Sequence, residues 1–462
     1  MQHYIVEFSK YFIALFMIFY TVESFLALRK KREDERNGVY IRQDIYIFLI
    51  QFFSYLCMCL KTGQIEYLFF YAFLQIALFS TLVLYQMIYP KNNRLLLNHM
   101  CLLLSIGFIM LTRLDFDKAI KQFFIVAAAL GASLVIPFFV HKLRFIKHLK
   151  WLYGALGITA LGIVLVLGQV THGSKISYTV AGVTIQPSEF VKIIFVFFIA
   201  SLLYKAATLK EVIISAFMAA IHILILVASK DLGSSLIFFM GYLFMVLIAS
   251  KNYLYLLAGF VSGGGAAVAG YYLFSHVRVR VQAFLDPFSV IDNQGFQMAQ
   301  SLFAISNGKW FGTGLFEGTP ADIPFVESDF MFSAVAEELG GIFAVCMILV
   351  CLNCFLVFLK IAMELEDTFY RLVASGLGVM YIFQIFLTVG GGMKFIPLTG
   401  VTLPLVSYGG SSVLTTLIIF AVMQGLFMIY YTEEKQRKKE GKTGNRRGEK
   451  TKNYVEEWDE EA

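Results

Sequence analysis

Long apolar runs recur along almost the whole chain, and this recurrence decides most of what it can fold into. Runs of spanning length fall at about Ile5–Leu28, Ile45–Leu60, Tyr67–Tyr89, Met100–Leu111, Phe123–Val140 and Trp151–Val170. They continue at Phe190–Tyr204, Val212–Ser229, Ser235–Ser250, Tyr253–Phe274, Phe330–Leu359, Leu372–Gly391 and Ser411–Tyr431. About 20 mostly apolar residues cross a bilayer as a helix, because each backbone N–H and C=O must pair within its own segment in hydrocarbon. The runs therefore predict an all-α polytopic membrane protein with roughly thirteen spans. Only 15% of the residues are charged, against about 25% in soluble domains. The net charge of +6 sits mostly in a polar tail and a few loops, and no nucleic-acid partner is expected. The first run is too long for a cleaved signal peptide, and its cationic cluster follows it. All six cysteines lie in apolar runs, which argues for packing and against a disulfide framework.

Lys and Arg set the expected sidedness. Dense clusters occur at Arg29-Lys30-Lys31-Arg32, at Lys142, Arg144, Lys147 and Lys150, and from Lys435 to Lys452. With thirteen spans all three fall on one face, which is then the cytoplasm. The N-terminus is expected outside and the C-terminus inside. The tail 432–462 is polar and without periodicity, and reads as disordered and cytoplasmic.

Between two spans lies a long loop, 275–329, too interrupted by Gly, Pro and charge to cross. Its acids crowd towards one end at Glu317, Asp322, Glu327 and Asp329. Asp329 is the last acid before an apolar run, and two readings stand for it. One is an interfacial acid at a helix start, where the dipole favours negative charge. The other is a shielded carboxylate with a raised pKa, suited to accept a proton.

Three further segments share that face: Gln186-Pro187-Ser188-Glu189, Asp231-Leu232-Gly233, and Pro397–Ser412. The last carries two prolines and three glycines among apolar residues, which predicts a broken element packed at the end of the bundle. Glu337 and Glu338 fall about two turns inside the expected span from Phe330. At least one of them needs a buried partner. Arg278, Arg280 and Lys394 are either interfacial anchors or ligands for an anionic head group such as a phosphate.

These segments together resemble the shape, elongation, division and sporulation (SEDS) family, the group of RodA, FtsW and SpoVE. The matching residues are Gln186-Pro187-Ser188-Glu189, Asp231-Leu232-Gly233, Phe284 with Asp286-Pro287, and Gly295, Gln297, Gln300 and Ser301. The match continues through Gly308, Phe311-Gly312, Gly314-Leu315, Ser328-Asp329-Phe330 and Glu337-Glu338-Leu339-Gly340. It ends in Pro397, Gly400, Leu403-Pro404 and Ser407-Tyr408-Gly409-Gly410-Ser411-Ser412. The resemblance implies a ten-span core over 98–431, with the large extracellular loop 275–329 between core spans seven and eight. Residues 1–97, with about three extra spans, lie outside it. It departs from the family at Ile176-Ser177, Lys230, Thr388 and Lys394.

The resemblance further implies an inverting glycosyltransferase that polymerises lipid II into peptidoglycan strands outside the cytoplasmic membrane. Asp329 takes the position of the catalytic acid. Arg278, Arg280, Lys394, Gln297, Ser407 and Ser411 are the expected substrate contacts. Glu189, Asp231, Glu337, Glu338, Pro404, Gly409 and Gly410 are expected to hold the motif together. The leaving diphosphate needs cations, from Lys394, Arg278, Arg280 or a divalent metal such as Mg or Mn, and the sequence leaves these alternatives open. The expected partners are lipid II, a class B penicillin-binding transpeptidase, and other elongation or division proteins. A lipid II flippase and a non-catalytic scaffold are the rival readings.

Overall fold

The computed structural model describes the backbone of all residues except 1, 143, 172–173, 181–182, 206, 293–294 and 461–462. The side chains of 2–6, 144, 169–171, 174–176, 179–180, 183 and 436–460 also fall outside the description. Three N-terminal helices, α1 (Gln2–Arg29), α2 (Glu33–Thr62) and α3 (Glu66–Ile88), precede α4 (Arg94–Leu114), α5 (Phe116–Ser133), α6 (Ile136–Lys142) and α7 (Lys150–Leu167). Next come α8 (Pro187–Leu203), α9 (Leu209–Ala228), α10 (Leu232–Ser250) and α11 (Tyr253–Leu273). The long loop holds α12 (Ser275–Leu285) and α13 (Phe296–Gly308). The chain ends with α14 (Met331–Glu338), α15 (Gly341–Glu364), α16 (Thr368–Gly392) and α17 (Gly410–Glu460).

Twelve helical stretches among the described residues are long and apolar enough to cross a membrane, α5 and α6 together making one of them. The remaining expected span is α8, whose 17 residues sit at the lower limit of spanning length. Polar residues start several helices where the sequence changes from charged to apolar. Asn93, Asp115, Asp231 and Asp367 each accept a hydrogen bond from a backbone N–H in the first turn of α4, α5, α10 and α16.

The core is densest along α4 and α16. Helix α4 is buried from Leu95 to Thr112, packed against α2, α5, α15 and α17. Polar contacts tie it to α2: Arg94 donates to Asp44 at 2.6 Å, and Tyr55 and Thr112 share a hydrogen bond of 3.0 Å. Helix α8 runs antiparallel beside α16. At one end Tyr204 packs on Phe369 with ring centroids 6.0 Å apart, and towards the other Lys192 donates to Gln384 at 2.8 Å. Helix α16 has 25 residues and continues past the start of α8.

Three elements differ from the sequence reading. The run Phe330–Leu359 is not one span. It breaks at Gly340, whose φ of +94° no side chain tolerates easily, and Gly341 and Ile342 donate instead to Lys309 and Trp310 at 2.9 and 3.1 Å. Glu337 and Glu338 therefore end the short helix α14 and do not lie inside a span. The segment after α7 forms a three-stranded antiparallel meander, β1 (Gln169–Thr171), β2 (Ser174–Val180) and β3 (Val183–Ile185), the one departure from helix among the larger described elements. The tail does not fall away as coil, because α17 continues to Glu460; its Glu, Lys, Gln and Arg are good helix formers even without an apolar face.

Candidate active site

At the loop end of the bundle, a cavity of about 1110 Å³ opens between α5, α12, α13 and the segment joining α16 to α17. Asp329 lines it, in the turn that closes the long loop, with its N–H donating to the Phe325 carbonyl at 3.1 Å. It is half-buried and stands two residues before α14. Opposite it is Gly400, with φ at +73°; a methyl group added there would meet Asp329 Oδ2 at 3.7 Å. The absence of a side chain at Gly400 keeps the carboxylate accessible from the cavity.

Arg280 on α12 shares the cavity and donates to the Thr399 carbonyl at 3.2 Å. Burial lowers its pKa, while the charges of Asp329 and Asp231 raise it. Asp231 also lines the cavity as the cap of α10. Its Oδ2 accepts from Ser188 Oγ at 3.0 Å and its Oδ1 from Ser234 N at 3.1 Å, and burial pushes its carboxyl upward against those bonds. Gln297, Gly409, Gly410 and Ser411 complete that wall. Ser411 Oγ accepts from Gln186 N at 3.0 Å, which ties α17 to the start of α8.

Other expected contacts lie elsewhere. Arg278 is exposed and does not line the cavity. Lys394 is absent from its lining as well: it occupies the left-handed turn that ends α16, at φ +56°. Ser407 is buried and structural, its Oγ accepting from Leu403 N at 3.0 Å to fold the turn around Pro404. Gly409 N donates to Gln122 of α5 at 3.0 Å. Glu189 pairs with Lys192 at 2.9 Å inside the bundle, and Glu338 pairs with Arg113 at 2.8 Å. Glu337 accepts from Thr319 N at 3.2 Å.

Two cations escaped the sequence reading of the site. Lys121 on α5 and Lys230, at φ +62° before Asp231, both line the cavity. Lys230 was visible only as a departure beside the Asp-Leu-Gly motif, and Lys121 as part of the charged start of α5. The cavity thus holds three cations against two carboxylates, which suits a substrate with more than one negative charge. Phe124, Phe284, Phe325 and Tyr408 supply apolar surface beside them.

Among the described residues no three His, Cys, Asp or Glu gather to hold a metal. The two cavity carboxylates, Asp231 and Asp329, both act on Arg280.

Residues 93–429 match the family described as cell cycle protein, the FtsW, RodA and SpoVE group. The chain is 31% identical over 363 residues to the peptidoglycan glycosyltransferase RodA of Mycobacterium tuberculosis, covering 72% of this chain and 77% of that protein. It is 28% identical over 341 residues to the probable peptidoglycan glycosyltransferase FtsW of Bacillus subtilis, covering 69% and 83%. A chain solved in a peptidoglycan synthase complex that coordinates polymerization and crosslinking superposes with a TM-score of 0.64 at 25% identity, over 74% of this chain and 98% of that one. The rod shape determining protein RodA of Thermus thermophilus superposes with a TM-score of 0.56 at 22% identity, over 74% and 99%, a likeness of fold. With the family match spanning the whole segment from α4 into α17, the chain belongs to the FtsW, RodA and SpoVE group of cell cycle proteins, the SEDS family.

Proposed function

We propose that this protein is an inverting peptidoglycan glycosyltransferase that polymerises lipid II at the outer face of the bacterial cytoplasmic membrane. The observation that carries this reading is Asp329, lining a cation-bearing cavity beside Arg280 at the loop end of the bundle. In the reaction the 4-hydroxyl of the acceptor GlcNAc attacks the donor's anomeric carbon. The new C–O bond forms as the bond to the polyprenyl diphosphate breaks, and the diphosphate leaves with the electron pair. Asp329 takes the hydroxyl proton, a role worth roughly 10²–10⁴ in rate. Arg280, Lys121 and Lys230 face the space in which the diphosphate's charge develops, and fixed cations there lower the barrier more than solvent would. No step is assigned to a metal.

The working partner is a class B penicillin-binding transpeptidase that cross-links the strands, together with other elongation or division proteins. The solved relative in a peptidoglycan synthase complex supports that assignment. The N-terminus faces outward and the C-terminus the cytoplasm, as the basic clusters require.

The test is polymer formation from lipid II by the purified protein, compared with Asp329→Asn. Polymer from wild type and its loss in the variant support the reading. A wild-type protein that binds lipid II and makes no polymer returns the flippase and scaffold readings.

A further inference from the structure

The three N-terminal helices lie outside the family match, yet they are docked by specific polar contacts. Tyr20 Oη is hydrogen-bonded to His99 Nδ1 at 2.8 Å, and His99 Nε2 to Asn353 Oδ1 at 2.9 Å, linking α1 through α4 to α15. Asn98 on α4 donates to Gln43 at 3.3 Å, and Gln51 bonds to Ser105. Polar pairs buried between membrane helices fix register, because a slipped helix leaves them unsatisfied.

The same unit reaches the loop that carries Asp329. Lys61, two residues before the left-handed cap Gly63 of α2, pairs with Glu317. Tyr11 on α1 packs against Phe311 with ring centroids 5.3 Å apart. Glu317 and Phe311 belong to the turn 309–319, and that turn grips the end of α14. Thr313 N and Gly314 N donate to the carbonyls of Glu337 and Glu338 at 2.9 and 3.0 Å. Phe316 N and Thr319 N donate to the carboxylates of Glu338 and Glu337, both at 3.2 Å. Helix α14 is only eight residues long, and Asp329 stands just before its other end.

We infer that α1 and α2 form a positioning element for Asp329. Lys61 and Tyr11 fix the turn 309–319, the turn fixes the axial position of α14, and α14 sets where Asp329 stands relative to Arg280 and Gly400. The inference rests on the reading of Asp329 as proton acceptor, and it assigns Lys61, Glu317, Tyr11 and Phe311 a part in the rate without contact with substrate. A rigid chain of packed elements can carry such an effect over this distance, and a small misplacement of a reacting group is costly in rate.

The experiment uses full-length Lys61→Glu, Glu317→Lys and the double charge swap. It measures kcat and KM for lipid II, the melting temperature, and amide hydrogen exchange over residues 309–319 and 328–334. Each single reversal is expected to lower kcat about three- to tenfold with KM and melting temperature unchanged. Exchange should quicken in both segments, and the double swap should restore both readouts. If the wild type makes no polymer, faster exchange at 328–334 that the double swap reverses still supports the mechanical link, while the glycosyltransferase reading falls. Single variants with wild-type kcat and unchanged exchange at 328–334 overturn the inference. So does a loss that follows a lowered melting temperature and is not restored by the swap.

Discussion

Asp322 and Asp329 lie seven positions apart in one acidic loop, and only the second lines the cavity. Asp329→Asn keeps the size of the side chain but cannot take the acceptor's proton, so polymerisation should fall roughly a hundredfold or more with folding intact. Asp322→Asn, in an exposed turn, should leave the rate within about twofold. Both are checked by lipid II polymerisation beside melting curves; near-normal polymer from Asp329→Asn removes the proton-acceptor role. Glu338 gives a pH prediction. Burial pushes its carboxyl up to about 7, against the pull of Arg113. Between about pH 4.5 and 7 the folded state therefore holds a proton that the unfolded state has lost. Stability from this group is complete below that window and is lost as pH rises through it. The wild type should lose melting temperature over this range relative to Glu338→Gln, which does not titrate, and a constant difference between the two from pH 4.5 to 8 refutes the shift. Asp329 was legible from its place at the end of an acid run and from its motif. Arg113 as the partner of Glu338 was not, since the two are 225 positions apart and Arg113 reads as an ordinary helix end. Lys394 was read as a ligand candidate from its place among the cations of the outer face; it stands outside the cavity, in the left-handed turn that ends α16.

At the scale of elements, the break between α14 and α15 is held by two glycines back to back. A methyl on Gly340 would come within 2.3 Å of Gly312 N, and one on Gly312 within 2.3 Å of the Glu338 carbonyl. Gly340→Ala should cost about 1–3 kcal/mol from the backbone conformation alone, with the steric conflict in addition. The check is a lowered melting temperature or yield in detergent, and a variant as stable as wild type would show that the break can relax. This break escaped the sequence because apolar residues continue on both sides of it and hydropathy cannot see a turn. The segment Pro397–Ser412 was legible for the opposite reason: its prolines and glycines sit where a span should be. It is indeed non-helical as far as Gly409, where α17 follows, and Tyr408 N donates to the Glu327 carbonyl at 2.7 Å beside the long loop. The meander after α7 was missed because strands of three to seven residues carry too little pattern to stand out between spans.

The whole molecule is a bundle whose number of spans fixes its sidedness, so a topology reporter tests the site as well as the fold. A reporter after Tyr431 should read cytoplasmic and one after Ser289 should read external. An external C-terminus would put the cavity on the wrong face for extracellular polymerisation. The spans were almost all legible from hydropathy, but the contacts of α1 and α2 with the loop were not, because pairs between distant segments leave no local signature. Helix α8 carries a last consequence. Aligned with α16 by the Tyr204–Phe369 and Lys192–Gln384 contacts, it stops about three to six residues short of that helix's far end, or about 5–9 Å. Gln186, the residue just before it, borders the cavity, so this side of the site is set back from the end of α16. Drawing a polyprenyl chain into water costs about 0.8 kcal/mol for every methylene exposed. In the proposed reaction, such a set-back wall lets the sugar-bearing head of lipid II reach Asp329 while the carrier's tail stays dissolved among the lipids.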